Sequence, residues 1–179
     1  MSPEYMTAIA SIGTFIVIAA TAVAALIQLR HLRSANQISA INEFSEKAES
    51  EAFRAGEAVA RYELPRILAD PESCKRLEKR PLDPDLQCLP MLANFFEQIG
   101  TLVRFGIVDS ALAVNIWGAQ ATWFWRLLAP FIAIRRRQFG PTVWPDFEYL
   151  AVLAEDYFAK HPVLYPPGMR RMPLEDPKS

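Results

Sequence analysis

The sequence predicts an all-α protein in which a single N-terminal transmembrane helix continues into a small multi-helix cytoplasmic bundle. Three observations carry that expectation. Residues 5–29 contain no charged side chain, apolar residues recur at every third or fourth position through most of the remainder, and no alternating β-branched run bounded by turn pairs is present. The 179 residues carry 19 Lys plus Arg and 20 Asp plus Glu, a formal charge of −1, and every one of those charges lies outside residues 5–29. Outside that run the composition is that of ordinary globular protein. Disorder, collagen, a disulfide scaffold and a strongly basic nucleic-acid binder are all disfavoured.

The first element is YMTAIASIGTFIVIAATAVAALIQL, residues 5–29. As a helix it would extend about 37 Å, against a hydrocarbon core of about 30 Å. A cleaved signal peptide would need a positively charged start and a shorter apolar stretch, whereas this start carries Glu4 and no Lys or Arg. A buried core helix is the other alternative. Arg30 and Arg33, joined by Lys47, orient the span with its N-terminus outside and the bulk of the chain cytoplasmic. Small residues four apart, Ala20 with Ala24 and Thr21 with Ala25, offer a weak self-association face. Residues 110–125 are also uncharged, but they are short, hold Asn115 and Gln120, and would leave Arg135, Arg136 and Arg137 outside, so one span is expected.

Beyond the membrane, Ile38, Ile41, Phe44, Ala48, Ala52, Ala55, Val59 and Tyr62 form one helical stripe that packs onto the chain's own domain in preference to a coiled coil. Glu43 with Lys47, and Glu57 with Arg61, are supporting pairs on the wet side. Pro65 is expected to end that helix. Asp70-Pro71 and Asp83-Pro84 read as N-caps followed by a first helical residue, giving a short helix near 71–79 and a new start in the 84–91 region. Leu92, Phe95, Phe96, Ile99, Leu102 and Val103 mark a helix closed by Gly106. Asp109 caps the next, with a bend at Gly118. Trp123, Phe124, Leu127, Leu128, Phe131 and Ile132 mark another, kinked at Pro130 and stopped by Phe139-Gly140-Pro141. Pro145 opens the last, through Phe158. The expected organisation is a short external N-terminus (1–4), the span (5–29), a helical domain (30–160) and an extended Pro-rich tail (161–179).

Catalytic signals are sparse. Cys74 and Cys88 are expected as reduced thiols, and His31 and His161 lack any paired ligand spacing, so no metal, no cofactor and no His-dependent catalysis are expected. The seven glycines form no phosphate-cradling loop. The most distinctive polar group is Glu97, Arg104 and Asp109 around a Phe- and Leu-rich helix. It reads either as a polar pocket in which Glu97 acts as general acid or base, or, the favoured reading, as an internal salt bridge that fixes packing. Arg126 with Arg135, Arg136 and Arg137 is the one basic cluster; it completes a helix C-terminus or meets anionic lipid. Trp123 and Trp125 cannot point the same way, so one of them is a candidate partner-contacting aromatic. The bilayer, and a protein partner or a second copy, are the expected partners.

The stretches FFEQIGTLVRFGIVD, TWFWRLLAPFIAIRR and DFEYLAVLAE together resemble a widespread bacterial group of uncharacterised proteins, an N-terminal single-pass anchor followed by a small helical domain of unknown function. The resemblance runs from the anchor to about residue 157. It implies Phe96, Glu97, Gly106, Asp109, Trp123, Pro130, Arg135, Phe147 and Glu148 as signature positions, and it implies no activity.

Overall fold

A computed structural model describes residues 3–162, 165–166 and 168–173, with the side-chain environments of residues 4, 5, 7–10 and 33 outside the description. Residues 163, 164, 167 and 174–179 of the expected tail, and the Arg33 side chain, therefore lie outside the described residues. The helices are α1 (Pro3–Glu49), α2 (Glu51–Ala58), α3 (Leu64–Ala69), α4 (Pro71–Cys74), α5 (Cys88–Arg104), α6 (Ser110–Ala113), α7 (Ala119–Phe139) and α8 (Pro145–Lys160). Widened π turns join α2 to α3 (Val59–Glu63) and α6 to α7 (Val114–Gly118), and 3-10 turns occupy Lys75–Glu78 and Pro84–Leu86. Among the described residues there is no strand.

At 47 residues α1 is a rod about 70 Å long. From Ser11 it is apolar enough to cross a membrane, and none of its apolar window is buried. Only its last three turns touch the rest of the chain: Ala40, Ile41 and Ala48 are half-buried, and Phe44 is buried edge-on against Phe95 and Trp117. The reading of the stripe as packing onto its own domain holds for Ile41, Phe44 and Ala48, but its first member, Ile38, is exposed.

Ser50 then changes the register. Its backbone turns extended (φ −65°, ψ 150°), and its hydroxyl donates to the Lys47 carbonyl at 2.6 Å while accepting from the Phe53 N–H at 3.2 Å. One serine thus ends α1 and caps α2. The inward positions restart one residue later, at Phe53, Gly56 and Ala60, so Ala52 and Ala55 face water and Tyr62 is exposed, contrary to the stripe read from the sequence. Pro65 does not end the helix either. It lacks the N–H that the Arg61 carbonyl would receive, and the chain absorbs the mismatch as a widened turn in which Leu64 N–H reaches back to Val59. Helical structure continues to Ala69, where Asp70 stops it and accepts from Glu72 and Ser73 as the cap of α4. Asp83 makes no cap: its carboxylate takes Arg76 Nε and Lys79 Nζ, both at 2.9 Å.

The later boundaries follow expectation, while the expected kink at Pro130 does not divide its helix. Gly106 (φ +66°) closes α5 with Gly106 N–H on Val103 and Ile107 N–H on Leu102, a Schellman pair that needs a left-handed residue. Asp109 Oδ1 accepts Leu112 N–H at 2.9 Å and caps α6. α7 is continuous through Pro130. The uncharged stretch 110–125 alternates buried and exposed positions within the bundle, so it is not a second span. At the centre lie aromatic rings from five elements, among them Phe53, Phe95, Phe96, Phe124 and Phe147, with Phe96 and Phe147 stacked at 5.0 Å.

The path of α1 relative to α5 fixes the rest of the geometry. Lys47 and Ser50 share a groove of about 700 Å³ with Gln87, Met91 and Asn94 at the start of α5. Asn36, Ser39 and Ala40 share another with Leu102 and Ile107 at its end. The two helices therefore run antiparallel, and the end of α5 lies beside the part of α1 nearest the apolar run.

Candidate functional site

The polar residues singled out from the sequence converge on the start of α8, where α5 and α8 cross. The crossing is close because residue 100 is glycine: a Cβ there would come 2.0 Å from the Asp146 carbonyl oxygen. α8 enters through Trp144 in the left-handed region (φ 52°, ψ 52°) with no side-chain cap of its own. Its first-turn N–H groups need an acceptor, and Glu97 of α5 supplies one: Phe147 N–H donates to Glu97 Oε2 at 2.7 Å. Burial lifts the Glu97 carboxyl above the ordinary glutamate range; the Phe147 N–H works against that, and the neighbouring Asp146 charge adds to it.

Asp146 is 3 % exposed and is the one buried charged residue among those described. Its Oδ2 lies 2.7 Å from the Thr101 hydroxyl, whose single proton is shared with the Glu97 carbonyl. Its Oδ1 has Arg104 Nη1 at 2.9 Å in ion-pair contact, at an angle too oblique for a hydrogen bond. Glu97 and Arg104 are thus brought together, as their seven-residue spacing implied, but through Asp146. Asp109 does not belong to the group; its carboxylate is engaged in capping α6. None of the three residues lines either groove along α1 and α5. Asp146, Thr101 and Gly100 were missed from the sequence. The available signal was Gly100, a residue that costs about 1 kcal/mol inside an otherwise strong helix and so requires a packing reason.

The basic cluster divides. Arg136 Nε donates to the Val143 carbonyl at 2.9 Å, its Nη2 to Trp144 and its Nη1 to Glu148 Oε2 at 2.7 Å, so it clamps the left-handed turn into α8. Arg135 reaches the carbonyls of Leu77 and Lys79 and stacks on Phe139, with Arg80 on the same ring. Burial first, and then the Arg80 charge, lowers Arg135 below the ordinary arginine value. Arg126 pairs with Glu155 in solvent at 2.8 Å, and Arg137 is exposed. Of the two tryptophans, Trp123 is the outward one, 39 % exposed beneath Arg61, while Trp125 is half-buried against Phe147. Cys74 and Cys88 are free thiols, and no group of metal-binding side chains occurs among the described residues.

The arrangement is a latch. A carboxylate cap, a buried aspartate and two arginine clamps hold α8 onto α5 and α7, and this chemistry orders packing. A domain family described as a domain of unknown function, DUF4760, matches residues 15–152. No curated protein and no solved structure matches the chain.

Proposed function

The chain belongs to the DUF4760 family, a domain of unknown function, and from that premise we propose that it is a single-pass protein of the bacterial inner membrane displaying a helical, non-catalytic interaction module on the cytoplasmic face. One observation carries the reading. Nine apolar side chains between Ile12 and Leu29 stand half or more exposed on a helix continuous with a domain that already has its own core. Removing the exposed part of each from water is worth about 1–2 kcal/mol, and nine together are comparable to the roughly 5–15 kcal/mol by which a domain is usually stable. A bilayer is the solvent that removes this penalty.

Arg30 and Arg33 on the domain side, with no Lys or Arg before the span, support the cytoplasmic orientation. The latch role of Glu97 and Arg104 supports an interaction module over an enzyme built on that pair, the partner being another protein or a second copy. Lipid contact through the basic cluster gains no support from the same geometry. Arg135 lies in the groove with Lys47 and Ser50, 18 and 21 residues beyond Leu29, or about 27–31 Å along the helix. The screening length is about 8 Å. A reporter that fluoresces only in the cytoplasm, fused after Ser179, is expected to be bright in the membrane fraction; a dark, exported reporter refutes the orientation, and a soluble one refutes the anchor.

A further inference from the structure

We propose that Phe105, Ile107 and Leu112 form an apolar tip that rests in the lipid headgroup layer on the side where α1 leaves the bilayer; this rests on the reading that α1 spans a membrane. Phe105 is 66 % exposed and Ile107 47 %, both in the turn between α5 and α6, and Leu112, in the short helix α6 that follows, is 37 % exposed. Exposure here is not slackness. The Schellman bonds of Gly106 and Ile107 close α5, the Asp109 cap opens α6, and buried Val108 pins the turn between them. The segment holds three large apolar side chains outward from a fixed backbone, an arrangement that calls for an occupant.

The height of the turn identifies that occupant. Ile107 shares a groove with α1 residues from Asn36 to Phe44, and because α1 and α5 are antiparallel it lies toward the Asn36, Ser39 and Ala40 end, 7 to 11 residues past Leu29, or about 10–16 Å along α1 from the end of the uncharged run. The headgroup layer reaches about 5–7 Å beyond the hydrocarbon. A neighbouring helix axis lies about 8–10 Å to the side, so a typical tilt of about 20° toward that side lowers the flank by a further 3 Å or so. A phenylalanine or isoleucine reaching down from there enters the layer. Aromatic and aliphatic side chains gain from that zone, and the half-exposed Arg104 guanidinium, 4.9 Å from the Phe105 ring centroid, is a donor for lipid phosphate beside them. The tip continues the bilayer contact of the anchor itself. It thereby fixes the domain's tilt on the membrane and turns the groove of Lys47, Gln87 and Met91 toward the cytosol.

The test places a nitroxide on single cysteines of the full chain (Cys74→Ser, Cys88→Ser background) reconstituted in vesicles of three parts phosphatidylethanolamine to one of phosphatidylglycerol. Ile107→Cys and Leu112→Cys are the tip positions, Val17→Cys the deep reference and Gln87→Cys the aqueous one. Power saturation with oxygen and with a water-soluble nickel chelate is expected to give an oxygen-to-nickel ratio at the tip several-fold above that of Gln87→Cys and below that of Val17→Cys. Tip labels that match Gln87→Cys while Val17→Cys stays oxygen-rich overturn the tip and leave the anchor standing. A Val17→Cys label that is itself aqueous overturns both. Dipolar broadening at the tip that vanishes on dilution with unlabelled chain, without an oxygen gain, assigns the surface to a second copy and overturns the lipid proposal.

Discussion

Replacing Gly100 by alanine should destabilise this protein, although the same change in most helix interiors stabilises by about 1 kcal/mol. The new Cβ would sit 2.0 Å from the Asp146 carbonyl oxygen and 2.6 Å from its carbon, and neither belongs to a side chain that can rotate away. The first turn of α8 must retreat by more than 1 Å to reach ordinary contact. That stretches the 2.7 Å bond from Phe147 N–H to Glu97 beyond hydrogen-bond range and opens the stack of Phe147 on Phe96. A hydrogen bond to a charged group is worth about 1.5–3 kcal/mol, and overpacking costs about 1–3 kcal/mol. Set against the helix-propensity gain, the net loss is about 2–4 kcal/mol, or a melting temperature lower by about 5–15 °C for a chain of this size. The measurement is thermal unfolding of the full chain in mild detergent, followed by near-ultraviolet circular dichroism. Gly56→Ala is the control, since its Cβ meets Leu92 Cγ at 3.2 Å, a flexible neighbour, and its loss should be smaller. A Gly100→Ala protein as stable as the parent would refute the close crossing and the latch built on it.

Glu97→Gln keeps an oxygen that accepts from Phe147 but removes the titration. Because the folded carboxyl titrates above the unfolded one, its protonated form favours the fold. The parent should therefore gain stability relative to Glu97→Gln as the pH falls from neutral through the raised value toward the ordinary glutamate range, and lose that gain as it rises; melting-temperature differences that are flat between pH 4 and 8 refute this. Arg136→Gln removes three donors from the turn into α8 and should lower stability by about 1–3 kcal/mol, whereas Arg137→Gln should stay within about 0.5 kcal/mol; equal melting temperatures for the two variants contradict the clamp. Four alanines inserted after Asn36 raise the domain by about 6 Å and turn it by about 40°. The oxygen-to-nickel ratio of an Ile107→Cys label should then fall toward the aqueous reference, and an unchanged ratio shows that α1 does not set the height.

What could be read from the sequence was whatever short-range chemistry decides. Gly106 as a helix stop, and Asp70 and Asp109 as caps, are each settled by backbone groups within four residues, and each stands where the spacing put it. Apart from Pro65, whose mismatch the backbone absorbs in a widened turn, the failures involve a competing side chain or a packing contact. Asp83 is as good a cap by type as Asp70, but Arg76 and Lys79 reach its carboxylate first. Ser50 looks like one polar residue in a helical run, yet the one-residue slip it introduces sends Phe53 inward and Ala52 outward, because burying a ring against Phe95 and Phe124 outweighs burying a methyl group. Asp146 lay unnoticed beside Pro145. A carboxylate in a first turn is ordinary, and only the arrival of Gly100 and Thr101 from 45 residues away makes it a buried one.

The spacing of Glu97 and Arg104 was legible and their packing role was not. Periodicity gives the face of a helix but not the direction in which the helix runs against its neighbours. Once α1 and α5 are antiparallel, distance from the apolar run is counted along α1, and each residue of α5 inherits a height from the part of α1 beside it. Arg135, chemically suited to phosphate, lines the groove that holds Lys47, about 27 Å along α1 from the end of the apolar run. Ile107 lines the groove that Asn36, Ser39 and Ala40 share with the end of α5, on the side of the domain nearest the apolar run. A single rigid helix running unbroken from the apolar run to Phe44 is what makes that ruler usable. A flexible linker at residues 30–36 would erase the assignment, and the helix contains neither Gly nor Pro there.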